Sequence, residues 1–272
     1  MRIALTIAGS DSGAGAGIQA DLKTFAAHGV YGISAITAVT AQNTTGVFNV
    51  EALSADLVTA QLEAVTSDFG AHAVKTGMLA NAAIVEAVAA AAQSLELPFL
   101  IVDPVIVASS GEPLLDDEGL LALKTELVRR AHAVTPNIPE AEVLSGVSIR
   151  TEQDLREAAR RIFALGPVYV VITGGHTPAA WIPAGGSDRI VDLVYDGELF
   201  SEYVTERVPG RHTHGTGCTF SAALTSQVAL GRSLHEAIPR VQEYVAGAIR
   251  HAPGLGRGLG PMNHFWRFSG DA

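Results

Sequence analysis

Short apolar runs alternate with amphipathic helical segments along nearly the whole of this chain, and that alternation leaves few folds open. Strand-like runs at 2–9, 33–41, 46–53, 71–75, 99–102, 132–135 and 168–173 are interleaved with helical patterns at 17–28, 54–69, 81–94, 116–130, 138–144 and 151–165. In the first of those helices Ile18, Leu22, Phe25 and Ala26 recur at three-to-four spacing, the period of a buried stripe. Strands joined through helices pair in parallel, and the helices then cover both faces of the sheet. Residues 189–205 break the rhythm with two strand-like runs around Asp196-Gly197, a hairpin signal that predicts an antiparallel edge. Helical patterns at 216–230 and 234–251 follow, then a glycine-rich segment at 254–265. No linker, repeat or charge block divides the chain, so residues 1–272 read as one α/β domain.

Charge and cysteine content narrow the partners. Eighteen basic against 28 acidic residues give a net charge of −10, with no basic run able to track a phosphate backbone, which argues against nucleic acid. The first 40 residues lack a signal-type apolar stretch and no apolar run is long enough for a membrane span, so the expectation is a cytoplasmic protein. One cysteine excludes an internal disulfide framework and any cysteine-cluster zinc site.

That cysteine sits in the most suggestive stretch, Gly215-Thr216-Gly217-Cys218, which feeds directly into a helix with Phe220, Leu224 and Val228 on one face. Glycines that tolerate positive φ let successive backbone N–H groups turn toward one point, where the helix terminus already concentrates partial positive charge. The same terminus is expected to lower the pKa of the Cys218 thiol. A tight turn beside a small buried hydrophobe is the competing reading. Asp103 ends a buried strand and is placed to meet a cation; Glu140, three residues after Asn137 at another strand end, is either a second acidic ligand or half of a capping box. Two carboxylates beside an anion-binding terminus are what magnesium-assisted phosphoryl transfer requires.

Other nucleotide motifs fit less well. The loop 9–17 lacks the Gly-Lys-Ser/Thr of a P-loop, because Ile18 follows Gly17. Gly15, Gly17 and Ala20 satisfy a dinucleotide pattern, yet the second strand ends in Ala41-Gln42 where a ribose-binding acid is expected. The nine histidines include no metal-type i, i+4 pair, and Lys75 at a strand end is open to a phosphate or a solvent role.

Taken in order, IAGSDS at 7–12, AGIQADLKTF at 16–25, AQNT at 41–44, KTGML at 75–79, VDPV at 102–105, TPNIPEA at 135–141, ITGGH at 172–176, HGTGCT at 214–219 and GPMNHF at 260–265 resemble the hydroxymethylpyrimidine/phosphomethylpyrimidine kinases of thiamine biosynthesis. The resemblance implies a three-layer α/β/α ribokinase-like fold. It also implies two successive ATP-dependent phosphorylations of 4-amino-5-hydroxymethyl-2-methylpyrimidine, first on the hydroxyl and then on the resulting phosphate. Cys218 falls where related sugar kinases carry an aspartate base, with Gly215, Thr216 and Gly217 as the anion hole. Gln42 falls where the pyrimidine binds, with Gly9, Asp21 and Met78 as further pocket residues; Thr173 and Gly175 lie toward ATP, and Asp103 and Glu140 toward Mg2+. A glutamine amide can accept from the 4-amino group while donating to the adjacent ring nitrogen. Ser12-Gly13-Ala14-Gly15 departs from the family's usual turn, and the loop 178–187 is longer than the family leads one to expect. A pyridoxal kinase of the same fold and a non-catalytic pyrimidine-binding regulator are the alternatives; the joint presence of Cys218, Asp103 and Glu140 argues against the second. Monovalent-cation dependence stays open, and the hairpin edge suggests a homodimer.

Overall fold

The computed structural model describes residues 1–107, 111–176 and 188–268. Among them, nine strands form one sheet in the order β3-β2-β1-β4-β5-β6-β7-β8-β9. The central strands β1 (Ile3–Asp11), β2 (Tyr31–Asn43), β4 (Ala73–Thr76), β5 (Leu100–Val102), β6 (Ala133–Val134) and β7 (Tyr169–Ile172) are parallel throughout. Beyond β7, strands β8 (Arg189–Tyr195) and β9 (Phe200–Glu206) form the antiparallel edge that Asp196-Gly197 predicts. The opposite edge is antiparallel as well: β3 (Gly46–Ala52) folds back on β2. Its residues are exposed or half-buried along its length, so no alternation marks an inner face.

Two cores lie on the two sides of the sheet, and alternation along each strand decides which residues enter which. Leu5, Ile7, Val170 and Ile172 face one core, with Val58 and Leu62 of α2 (Ala55–Asp68), Val85 of α3 (Ala82–Ser94), Leu144 of α5 (Ile138–Ser145) and Ile162 of α6 (Glu152–Phe163). Ala4, Ala73, Ala133 and Val171 face the other, with Phe25 of α1 (Gly17–Ala27), Leu224 of α7 (Thr216–Ala229) and Val241 of α8 (Leu234–Arg250). The result is a three-layer α/β/α sandwich. The small alanines on the second face let α7 lie close against the sheet, and α7 is buried from Thr219 through Ala229. Its buried Thr225 and Ser226 hydroxyls donate to the carbonyls of Ser221 and Ala222, one turn back, so no hydroxyl needs water.

Helix 116–130 departs from expectation. It is an α-helix α4 (Asp117–Ala122), a π turn (Leu123–Leu127) and a 3-10 turn (Val128–Arg130) in succession. Leu123, Leu127 and Val128 are buried along it, and sequence periodicity cannot report the extra residue a π turn inserts. The loop 178–187 lies outside the described residues.

Candidate active site

The parallel strands end on one side of the sheet, and their carboxyl ends open into a cleft of about 590 Å³. Asp11, Gly77, Asp103, Thr135 and Thr173, each at or just past a strand end, line it. This is where an open parallel sheet binds ligands. Of the residues singled out from sequence, Gly9, Gln42, Met78, Asp103, Glu140, Thr173, Gly175, Gly215, Thr216, Gly217 and Cys218 all reach the cleft wall.

Asp21 does not. It is fully buried on α1, where its Oδ2 accepts from Thr6 Oγ1 at 2.6 Å and from Lys75 Nζ at 3.0 Å. Burial pushes its carboxyl up, and the Lys75 charge and the Thr6 hydroxyl pull it back. Its second oxygen is buried without a hydrogen-bond partner. Lys75, for which the sequence offered phosphate or solvent, meets neither: it is 0% exposed. Burial would lower its pKa, but the charges of Asp21 and Asp103 outweigh that and keep it protonated. Lys75 also stands 3.8 Å from Asp103, so one buried cation serves two carboxylates.

The turn at Gly215–Cys218 has the form that its glycines imply. Gly215 caps α7 at φ 81°, and a β-carbon there would run into the carbonyl of Gly15. No side chain caps this terminus, so the Gly217 and Cys218 amides, which precede the first intrahelical donor, Thr219 N, are left for a ligand. A β-carbon on Gly217 would meet nothing within 4 Å, which places open cleft directly beside those amides.

The Cys218 thiol corrects the sequence reading. Its pKa is pushed up to about 12, chiefly by burial, with the charges of Asp103 and Asp21 adding to the rise and Lys75 opposing it. The residue is partly accessible because the cleft reaches it, although it lies deep in the fold. A helix terminus does favour thiolate, but here desolvation is the larger effect. The free protein therefore holds a thiol.

Asp103 accepts from Ser221 Oγ at 2.9 Å. Glu140 is a helix cap and a cleft residue at once. It forms the capping box with Asn137 at 2.9 Å in each direction and also lines the cleft. Burial, then the charge of Asp103, raises its pKa to about 8. Among the described residues no three metal-ligating side chains converge. Two neighbouring carboxylates suit an ion such as magnesium, which keeps several waters and takes its remaining ligands from substrate phosphates.

Sequence reasoning missed a polar chain at the other end of the cleft. Asp11 accepts from the amides of Gly13 (2.8 Å), Gly15 (3.0 Å) and Ala16 (2.8 Å), and from His214 Nε2 at 3.0 Å. Burial would raise its pKa, but these hydrogen bonds together hold it below the usual carboxylate range. His214 in turn lies 3.4 Å from the Gln42 amide. At the far end Asp192, at the cleft wall, accepts from Gly174 N and Gln242 Nε2, both at 2.8 Å, and burial lifts its pKa to about 6. Three other histidines make packing contacts outside the cleft: His72 accepts from Ile3 N, His132 meets Phe99 and Tyr169 edge-on, and His251 stacks on Trp266.

Comparison with known proteins agrees with this architecture. Residues 11–263 match the family model described as phosphomethylpyrimidine kinase. The hydroxymethylpyrimidine/phosphomethylpyrimidine kinase of Bacillus subtilis is 47% identical over 262 residues, covering 96% of this chain and 94% of the relative. Two solved structures are similar: an ADP complex of Bacillus subtilis pyridoxal kinase (TM-score 0.87, 40% identity, 97% of each chain) and phosphomethylpyrimidine kinase from Clostridium difficile (TM-score 0.79, 40% identity, 92% of this chain and 100% of that one). No helix among the described residues is long and apolar enough to cross a membrane. The three-layer fold, the cleft at the strand ends and a match running nearly the length of the sequence identify the chain as a member of the phosphomethylpyrimidine kinase family.

Proposed function

We propose that this protein transfers the γ-phosphoryl group of ATP to the hydroxymethyl oxygen of 4-amino-5-hydroxymethyl-2-methylpyrimidine, and then a second phosphoryl group to the monophosphate formed, as a step of thiamine biosynthesis. The observation that carries this reading is the cleft itself, which joins Gln42, the free amides at the start of α7, Cys218, and the Asp103–Glu140 pair in one volume. In the first reaction the hydroxymethyl oxygen attacks the γ-phosphorus, its proton passes to Cys218 once that thiol has lost its own proton to solvent, and ADP departs. The amides of Gly217 and Cys218 face the charge that builds on the transferring oxygens, an interaction worth most in a water-poor site. Asp103 and Glu140 would hold magnesium, which when bound offsets the charge of the β- and γ-phosphates. Thr173 and Gly175 form the wall that we assign to the nucleotide.

Turnover of ATP with the aminopyrimidine, with pyridoxal and with no acceptor, measured side by side, tests the assignment. A strong preference for the aminopyrimidine is expected. The pyridoxal arm is needed because a structure named as a pyridoxal kinase shares this fold at 40% identity. Turnover of pyridoxal alone would overturn the proposal.

Two variants probe the named roles. Gln42→Leu should raise KM for the aminopyrimidine far more than KM for ATP, because each polar group left unpaired in a dry pocket costs about 1–3 kcal/mol. Equal losses for both substrates would remove Gln42 as the pyrimidine reader. Glu140→Gln should raise the magnesium concentration for half-maximal rate while keeping an acceptor for the cap. In the wild type the same quantity should fall as pH rises toward 8. A carboxyl titrating at about 8 must lose its proton before it can meet a cation, and only the ionised form above that pH binds freely. An unchanged magnesium dependence in the variant leaves Glu140 as a helix cap only.

A further inference from the structure

We propose that His214, held by Asp11, is a positioning residue that fixes which way round the Gln42 amide faces the acceptor, and with it the preference for an aminopyrimidine over pyridoxal. This rests on the functional reading above and adds to it a residue for which the sequence gave no role.

Asp11 takes three backbone N–H groups and is ionised, so it can only accept; His214 Nε2, 3.0 Å from its Oδ2, must carry a hydrogen. That holds whether the ring is neutral or charged. That one hydrogen lies nearer to Asp11 at 3.0 Å than to Gln42 at 3.4 Å, and a nitrogen that bears it cannot accept from an amide N–H, so the Gln42 atom beside it is the amide oxygen, the weaker acceptor of a shared hydrogen. The other flank gives the same answer independently. Thr40 Oγ1 has one hydrogen, and the Ser10 carbonyl 2.9 Å away can only accept it. The Thr40 oxygen is therefore left to accept, and the Gln42 atom 3.2 Å from it has to be the amide nitrogen. Both neighbours thus demand the amide with oxygen toward His214 and nitrogen toward Thr40, an assignment that hydrogen-bond partners decide. Each flank uses one N–H or one lone pair, and the edge between them, one acceptor beside one donor, faces the cleft.

Orientation matters because the acceptor has a direction. In the aminopyrimidine the 4-amino group lies between the hydroxymethyl carbon and the ring nitrogen. Once the hydroxymethyl group points at Cys218, the order of donor and acceptor along the ring edge is set. Pyridoxal carries its aldehyde oxygen, an acceptor, at the position where the pyrimidine carries the amino donor. An amide locked one way round matches the first and opposes the second; an amide free to turn discriminates less.

The test is His214→Phe, which keeps a planar ring and removes the donor, beside His214→Gln, whose terminal NH2 can donate to both Asp11 and Gln42. In His214→Phe, the ratio of kcat/KM for the aminopyrimidine to that for pyridoxal is expected to fall about tenfold, mainly through KM for the acceptor with KM for ATP held, and His214→Gln should restore most of it. In the wild type, nitrogen NMR of the imidazole should show a hydrogen on Nε2, a readout that needs no variant to fold. A bare Nε2, an unmoved ratio in His214→Phe, or equal losses for both acceptors and ATP would overturn the proposal while wild-type aminopyrimidine turnover leaves the functional reading standing. A wild type that phosphorylates pyridoxal and not the aminopyrimidine overturns both.

Discussion

Cys218→Ala is expected to abolish most phosphorylation of the alcohol while sparing much of the phosphorylation of the monophosphate. In the first reaction the nucleophile is a hydroxyl whose proton must leave as it attacks, and a positioned base supplies about 100- to 10,000-fold. In the second the nucleophile is a phosphate oxygen with a second pKa of about 6, already largely deprotonated at neutral pH. No base is required there. The structure adds a condition, because a thiol pushed up to about 12 is protonated at neutral pH and has to ionise before it can take the proton. The alcohol reaction should therefore accelerate with rising pH through the alkaline range as the thiolate fraction grows, and the monophosphate reaction should not. Gly217→Val should damage both, since its side chain would fill the open space beside the amides that face the transferring group in each. Separate rates for the two acceptors on purified Cys218→Ala decide the matter. A comparable drop in both makes Cys218 a shaping residue of the turn and removes it as the base.

What the chain discloses about itself follows the range of its interactions. The central parallel strands and their helices are written in local periodicity, and the glycines of the α7 turn in local conformational need, so both were legible. Pairing across distance was not. His214 and Asp11 are 203 positions apart, His214 and Gln42 172, and no spacing rule links polar residues over such intervals. A fainter signal was present for the buried ion pair. Asp21 stands three residues after Ile18 and four before Phe25, on the buried stripe of α1, and Lys75 interrupts a strand buried at every position. A carboxylate on an apolar stripe calls for a buried cation elsewhere in the chain, and Lys75 is the candidate that the strand pattern offers. Reading Asp21 as a pocket residue overlooked that demand.

The second large effect is expected at that pair. Lys75→Met leaves Asp21 buried with only the Thr6 hydroxyl as partner, and it strips the nearest cation from Asp103. Removing one member of a buried ion pair costs about 3–5 kcal/mol, because the charge left behind has neither water nor counter-ion. Domains of ordinary stability hold about 5–15 kcal/mol in total, so the variant should unfold at a much lower urea concentration. Replacing both members, Asp21→Leu with Lys75→Met, should recover most of the loss, since an apolar pair of similar volume removes the desolvation penalty together with the attraction. Urea midpoints for the single and double variants measure this directly. A single variant within about 1 kcal/mol of the wild type would mean that Asp21 takes up a proton at little cost and that the pair is not the anchor proposed. Stability and catalysis then separate in the double variant. With the fold restored, Asp103 still lacks the positive charge 3.8 Å away, so both phosphoryl transfers should stay slow if Lys75 helps to keep that carboxylate ionised, and should recover if its role ends with the fold.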